Sequence, residues 1–295
     1  MRPGENFALA MRPRLKSFST LGKSAMHPVI EGMVISAAVS IAISSVVLGI
    51  FSRESSRRYT GALGYAAGFL AAFAYLHHRD PTLRWSWLPW LALVAAFVGP
   101  IAINSGIGAL ERVVLGAIFS LAAGWFLVPI NESLRVAYVV GFAGIMVVHW
   151  NLLDRLTQKA SGMPLWSALA ATSVSAAALV AYAFSVKNGS IGAVATAAMV
   201  GGGLSAIWKQ EFTIVRGMVA SSCVVLCGIL LAARLYEALT YLTIALLLIS
   251  PLMLWLFEFG PLSRLQGVRA HLAKIAAVGL PHIVAWSLTW TGLPA

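Results

Sequence analysis

Leu165–Leu204 reads LWSALAATSVSAAALVAYAFSVKNGSIGAVATAAMVGGGL, and Val34–Phe73 reads VISAAVSIAISSVVLGIFSRESSRRYTGALGYAAGFLAAF. Laid over one another at an offset of 131 residues, Ser36 falls on Ser167, Ala37 on Ala168, Ser44 on Ser175 and Leu48 on Leu179. Beyond a polar joint, Gly61 falls on Gly192, Ala62 on Ala193, Ala66 on Ala197 and Ala67 on Ala198. Each copy is a Ser/Ala-rich apolar run, a joint, then a Gly/Ala-rich apolar run. Each run is long enough to cross about 30 Å of hydrocarbon as a helix. The alternating pattern of a membrane barrel is absent. The stretch therefore predicts an all-α, polytopic integral membrane protein.

Composition carries the same prediction across the chain. Of 295 residues, 59% are hydrophobic and 11% charged, against about 25% charged in soluble domains. Mean hydropathy is +0.84. Too few polar side chains exist to face water. The formal charge of +11 is spread singly between apolar runs, which fits interfacial anchoring and anionic lipid headgroups rather than nucleic acid. The lipid bilayer is the first expected partner, in a membrane of the bacterial inner type.

Ten transmembrane helices are expected. Val29–Phe51, Tyr59–His77, Trp85–Ile103, Arg112–Ile130 and Val136–Leu153 make a first half, residues 29–160. Leu165–Val186, Ser190–Trp208, Gly217–Leu235, Ala238–Phe257 and His271–Trp290 make a second, residues 161–295. The count drops to nine if Gly217–Phe257 is one region with a re-entrant break. Residues 1–28 form a basic tail, interfacial or disordered, and Asn188-Gly189 signals a turn. Five spans per half make the duplication an inverted one, the plan of many secondary transporters, whose sites lie near the midplane between halves. Lys and Arg do not orient the bundle: eleven fall at the joints after odd spans, and ten on the opposite side with the tail included.

Candidate site residues are few. Gly201, Gly202 and Gly203 interrupt the seventh span, and broken helices are where transporters place solutes. Close packing against a neighbouring helix is the alternative for such glycines. Pro251 should bend the ninth span. His149 lies about a turn inside the end of the fifth, and Glu31 in the first turn of the first. An ionisable group at membrane depth marks a functional site by default; near the interface each is equally a group hydrogen-bonded to headgroup or loop. Cys223 and Cys227, one helical turn apart, read as small apolar fillers. Nucleotide-loop, zinc-pair, nucleophile-elbow and haem-attachment motifs are all missing, so no cofactor and no metal is expected.

The joint Phe126-Leu127-Val128-Pro129-Ile130-Asn131-Glu132-Ser133-Leu134-Arg135, followed by Gly141, resembles one in the drug/metabolite transporter (EamA-like) superfamily. Ser250-Pro251 with Gly260-Pro261-Leu262-Ser263 is similar in the second half. Asn131 stands where that pattern has Gly, and no Glu follows Gly260. The resemblance implies export or exchange of a small solute and carries over no substrate residues. Two other classes compete with it. A non-catalytic scaffold or subunit would explain the bland helices. An enzyme acting on lipid or quinone through His149, with Asn151 or His282, is the third and least favoured.

Overall fold

The structure is a computed structural model that describes residues 23–50, 54–77, 84–102, 109–159, 162–184, 186–208, 213–236, 238–258 and 260–291. Among them the chain is helical, with no strand. The helices are α1 (Lys23–Ile50), α2 (Glu54–His77), α3 (Leu88–Ala102), α4 (Ala109–Leu127), α5 (Arg135–Lys159), α6 (Gly162–Ala183), α7 (Val186–Trp208), α8 (Thr213–Leu235), α9 (Tyr241–Leu252) and α10 (Gly267–Thr291). Single 3-10 turns precede α3 at Arg84–Trp87 and extend α9 through Met253–Phe257. Eight helices are long and apolar enough to cross a membrane, while α3 and α9 are shorter apolar helices. Residues 1–22 of the expected basic tail and most of the joint around His78 lie outside the described residues, while Lys23–Pro28, expected in that tail, belong to α1.

Consecutive helices run in opposite directions. Odd-numbered helices start at one end of the bundle, here the near end, and finish at the far end. The most buried helices are α7 and α8, so the second half supplies the centre. Gly68 of α2 lies so near the backbone of α1 that a Cβ would stand 2.9 Å from the Cβ of Ser40. Ser36 and Ser40 of α1 then donate across to Val194 O and Ala198 O of α7, at 2.7 and 2.8 Å. With no water in hydrocarbon, association rests on this close fit of small residues and on hydrogen bonds between helices. On the other flank Ser221 of α8 donates to Ala92 O of α3 at 3.1 Å. At the far end Arg216 of α8 meets Asp154 of α5 at 3.1 Å, a half-to-half ion pair.

The joint between α6 and α7 differs from the sequence expectation. The turn predicted at Asn188-Gly189 comes earlier, after Ala183, and Gly189 is inside α7. A Cβ there would stand 2.7 Å from Ala181 Cα. The glycine serves the approach of α7 to α6, and this packing requirement outweighs its local turn preference. The connection from α8 to α9 is short and hydrogen-bonded: Ala238 N donates to Ala233 O at 2.8 Å, and the Thr240 side chain caps α9 by accepting from Thr243 N at 3.2 Å.

Candidate functional site

Four main clefts open among the described residues, of about 220, 260, 290 and 430 Å³. Only the largest reaches the range of about 300–1,000 Å³ usual for small-molecule sites. It lies between α6 and α10, floored in part by Leu254 in the 3-10 extension of α9. One face of α10 presents His271, Lys274, Val278 and His282 to it, and α6 presents Pro164, Ser167 and Ala171. From His271 to His282 is about 16 Å along the helix axis.

The mouth is at the far end and is cationic. His271 is exposed there, and the Lys274 ammonium stands 5.8 Å from the ring centroid of Phe257. Among the described residues no acidic side chain lines the cleft. Its walls are apolar: Met163, Ala168, Ala171, Leu254, Ile275 and Val278. Ala171 and Ile275 are exposed, so the cleft also opens sideways, toward what would be lipid.

At the deep end His282 lines the cleft, and Thr172 holds it from behind. Thr172 and His282 sit near the middle of α6 and α10, and both are buried. Thr172 Oγ1 donates to Ala168 O at 2.8 Å and lies 3.2 Å from His282 Nε2. Having committed its own hydrogen, the hydroxyl faces the ring as an acceptor. We therefore assign a ring hydrogen to Nε2, donated to the Thr172 hydroxyl. Pro281 precedes His282 inside α10, and Ser250 of α9, beside Pro251, donates to Val278 O at 2.9 Å. Two proline-interrupted helices thus meet at the cleft floor.

Beyond this pair the same seam is shut. Tyr182 of α6 stacks on Trp290 of α10 at 5.6 Å and 8°, with Trp286 at 6.4 Å. The α6–α10 seam is therefore open from the far end to mid-depth and closed by aromatic rings at the near end.

The residues singled out in the sequence lie elsewhere. Helix α7 runs unbroken through Gly201–Gly203, which line none of the four clefts. Gly201 faces Ala37 and Ser40, Gly202 faces Met218, and Gly203 lies under the Trp166 indole, whose Nε1 donates to Met199 O at 3.0 Å. Pro251 is buried where α9 tightens into its 3-10 turn. Glu31 accepts from Tyr75 Oη at the near end. His149 is 3% exposed, and its Nε2 has no hydrogen-bond partner in the structure, yet it lines no main cleft. Asn151 donates to Val147 O of its own helix at 2.8 Å. The structure brings none of these residues together. Helices α1 and α7, and α3 and α8, are joined across the halves by direct hydrogen bonds, and the largest of the four clefts lies wholly within the second half. Sequence reasoning had His282 in view only as a catalytic partner and did not single out Thr172. Pro281-His282 inside an apolar run was the available signal.

The Phe126–Arg135 joint is a clamped turn at the near end. Arg135 donates to Trp125 O at 3.0 Å, and its guanidinium lies 3.8 Å over the Trp125 ring. No group of three or more His, Cys, Asp or Glu that could hold a metal occurs among the described residues. The chain matches no protein-family model, no curated protein and no solved structure.

Proposed function

We propose that the chain is a ten-span carrier, of the secondary-transporter type, for a small amphipathic anion bound in the α6–α10 cleft. One observation carries this: a single seam, open to mid-depth from one end, is lined at its deep end by His282, held by Thr172, and is closed by stacked rings at the other. That is the form of a carrier caught facing one side. A cationic mouth, apolar walls and lateral exposure suit a carboxylate or phosphate head on an apolar body.

Ten spans are supported by length. With their 3-10 turns, α3 and α9 extend about 30 and about 28 Å, close to the hydrocarbon thickness. The inverted duplication is supported by register. Gly64 of α2 approaches Ser44 of α1, and moving both by 131 puts Ala195 against Ser175. The observed contacts of Gly192 with Ala177 and of Gly189 with Ala181 lie on that antiparallel register to within one residue. Likeness of the two joints to the drug/metabolite transporter superfamily points the same way.

The test is thermal unfolding of the purified protein with octanoate, octylamine and octanol, followed by uptake into proteoliposomes. At about a hundred times its dissociation constant, a ligand adds about 2.7 kcal/mol to the folded state. Octanoate should stabilise saturably and octylamine should not, and Lys274→Gln should remove the difference. Binding without uptake would move the conclusion to the second reading, a non-catalytic membrane subunit. That reading is favoured by the close contacts of α1 with α7 and of α3 with α8 across the halves, and co-purification of a stoichiometric partner would support it.

A further inference from the structure

A second cleft, independent of the one above, lies at the opposite end of the bundle between α5, α8 and α9. Its walls are Leu134, Ala137, Gly141, Phe142 and Ile145 on α5 and its preceding joint, with Leu230, Leu231, Ile244 and Leu248 opposite. Leu134, Gly141 and Ile145 are exposed, so the slot opens outward along its length. Its polar groups gather at the near end. The Arg234 guanidinium lies 4.1 Å over the Tyr241 ring, and Tyr138 lines the same slot. Arg135 lies in the same layer, and Glu132 in the joint is the acidic neighbour.

From Leu134 to Ile145 the slot runs about 16 Å, about half the hydrocarbon core. It is therefore one leaflet deep, apolar toward the bilayer centre and cationic at the interface. Its 220 Å³ falls below the range of about 300–1,000 Å³ usual for compact small-molecule ligands, and its length suits an extended chain. We propose that this slot binds one anionic phospholipid of the near-end leaflet, an acyl chain between α5 and α9 and its phosphate on Arg234. Arginine gives a phosphate two charge-assisted hydrogen bonds in fixed geometry. A flexible chain in the slot and an anion at its mouth account together for the cavity shape and its one-ended polarity.

Gly141 supplies a clean probe, because a Cβ placed there would have nothing within 4 Å. Gly141→Leu adds bulk to the slot wall from a Cβ position that is itself free of contacts. The experiment is native mass spectrometry of the detergent-purified full chain, titrated with phosphatidylglycerol or phosphatidylcholine. Wild type should retain one phosphatidylglycerol in preference to phosphatidylcholine. Arg234→Gln should reduce that preference about tenfold, the worth of one charge-assisted hydrogen bond. Gly141→Leu should lose retention of both lipids, and Lys274→Gln, in the other cleft, should behave as wild type. The proposal is overturned if Gly141→Leu retains lipid as wild type does, if Lys274→Gln abolishes the preference equally, or if inorganic phosphate displaces the lipid's effect.

Discussion

Replacing Gly201 by alanine tests the seam that joins the two halves. The new Cβ would stand 2.5 Å from Ala37 O, 3.0 Å from Ala37 Cα and 3.1 Å from Ser40 Cβ. The first two are backbone atoms, so no rotamer change relieves the clash. A normal C···O contact is about 3.3 Å or more, and α1 must retreat from α7 by nearly an ångström. That stretches the Ser36–Val194 and Ser40–Ala198 hydrogen bonds, 2.7 and 2.8 Å long, to or beyond the useful limit. Overpacking costs about 1–3 kcal/mol, and each lost interhelical bond about 0.6 kcal/mol in a membrane. Alanine returns at most about 1 kcal/mol of helix propensity. The net loss is about 1–3 kcal/mol. Gly141→Ala, with open space around the new methyl, should be neutral or slightly stabilising. Thermal unfolding in detergent, followed by tryptophan fluorescence, should place Gly201→Ala several degrees below wild type and Gly141→Ala at or above it. Unfolding of Gly201→Ala at or above the wild-type temperature would refute the packed seam and return Gly201–Gly203 to the list of solute-path candidates.

Thr172→Val leaves the His282 Nε2 hydrogen without its acceptor and should cost about 1–3 kcal/mol, read as a lowered melting temperature; an unchanged value would remove the assigned hydrogen bond. Asp154→Asn and Arg216→Gln should each destabilise, with a coupling in a double-mutant cycle above about 0.5 kcal/mol, because the pair is mostly shielded; additive effects would mean α5 and α8 are not joined there. Tyr182→Ala should unlock the near-end seam. With Cys223 and Cys227 replaced, Ala285→Cys should then become open to a water-soluble maleimide, whereas in the unopened seam Ala285 is fully buried. Cys223 and Cys227 are themselves buried thiols and should react with maleimide only on unfolding; rapid labelling of the native protein would contradict the α8 environment.

The cleft could not have been located from residue type. Gly201–Gly203 was conspicuous because three glycines are costly in an isolated helix. The cost is offset by contact with Ala37, Met218 and Trp166, which are contributed by three other helices. Asn188-Gly189 misled for the same reason, since local turn chemistry was outweighed by the demand of Ala181 for a neighbour without a side chain. His282 and Thr172 lie 110 residues apart, and only the parallel placement of α10 beside α6 makes them a pair.

Hydropathy and span length determined by themselves that the chain is a helical membrane protein, because desolvating a backbone in lipid leaves helices as the answer for apolar runs of this length. The small-residue pattern of Val34–Phe73 also announced close helix contact, since Ser and Gly at one-turn spacing have little other use in hydrocarbon. Which helices meet was decided only in three dimensions. In lipid every apolar face is equally content with solvent, so hydropathy does not distinguish a buried face from a lipid-facing one. The choice falls to shape: glycine against backbone at α1, α2 and α7, and a poor fit between α6 and α10 that leaves a cleft where the sequence shows only another apolar helix.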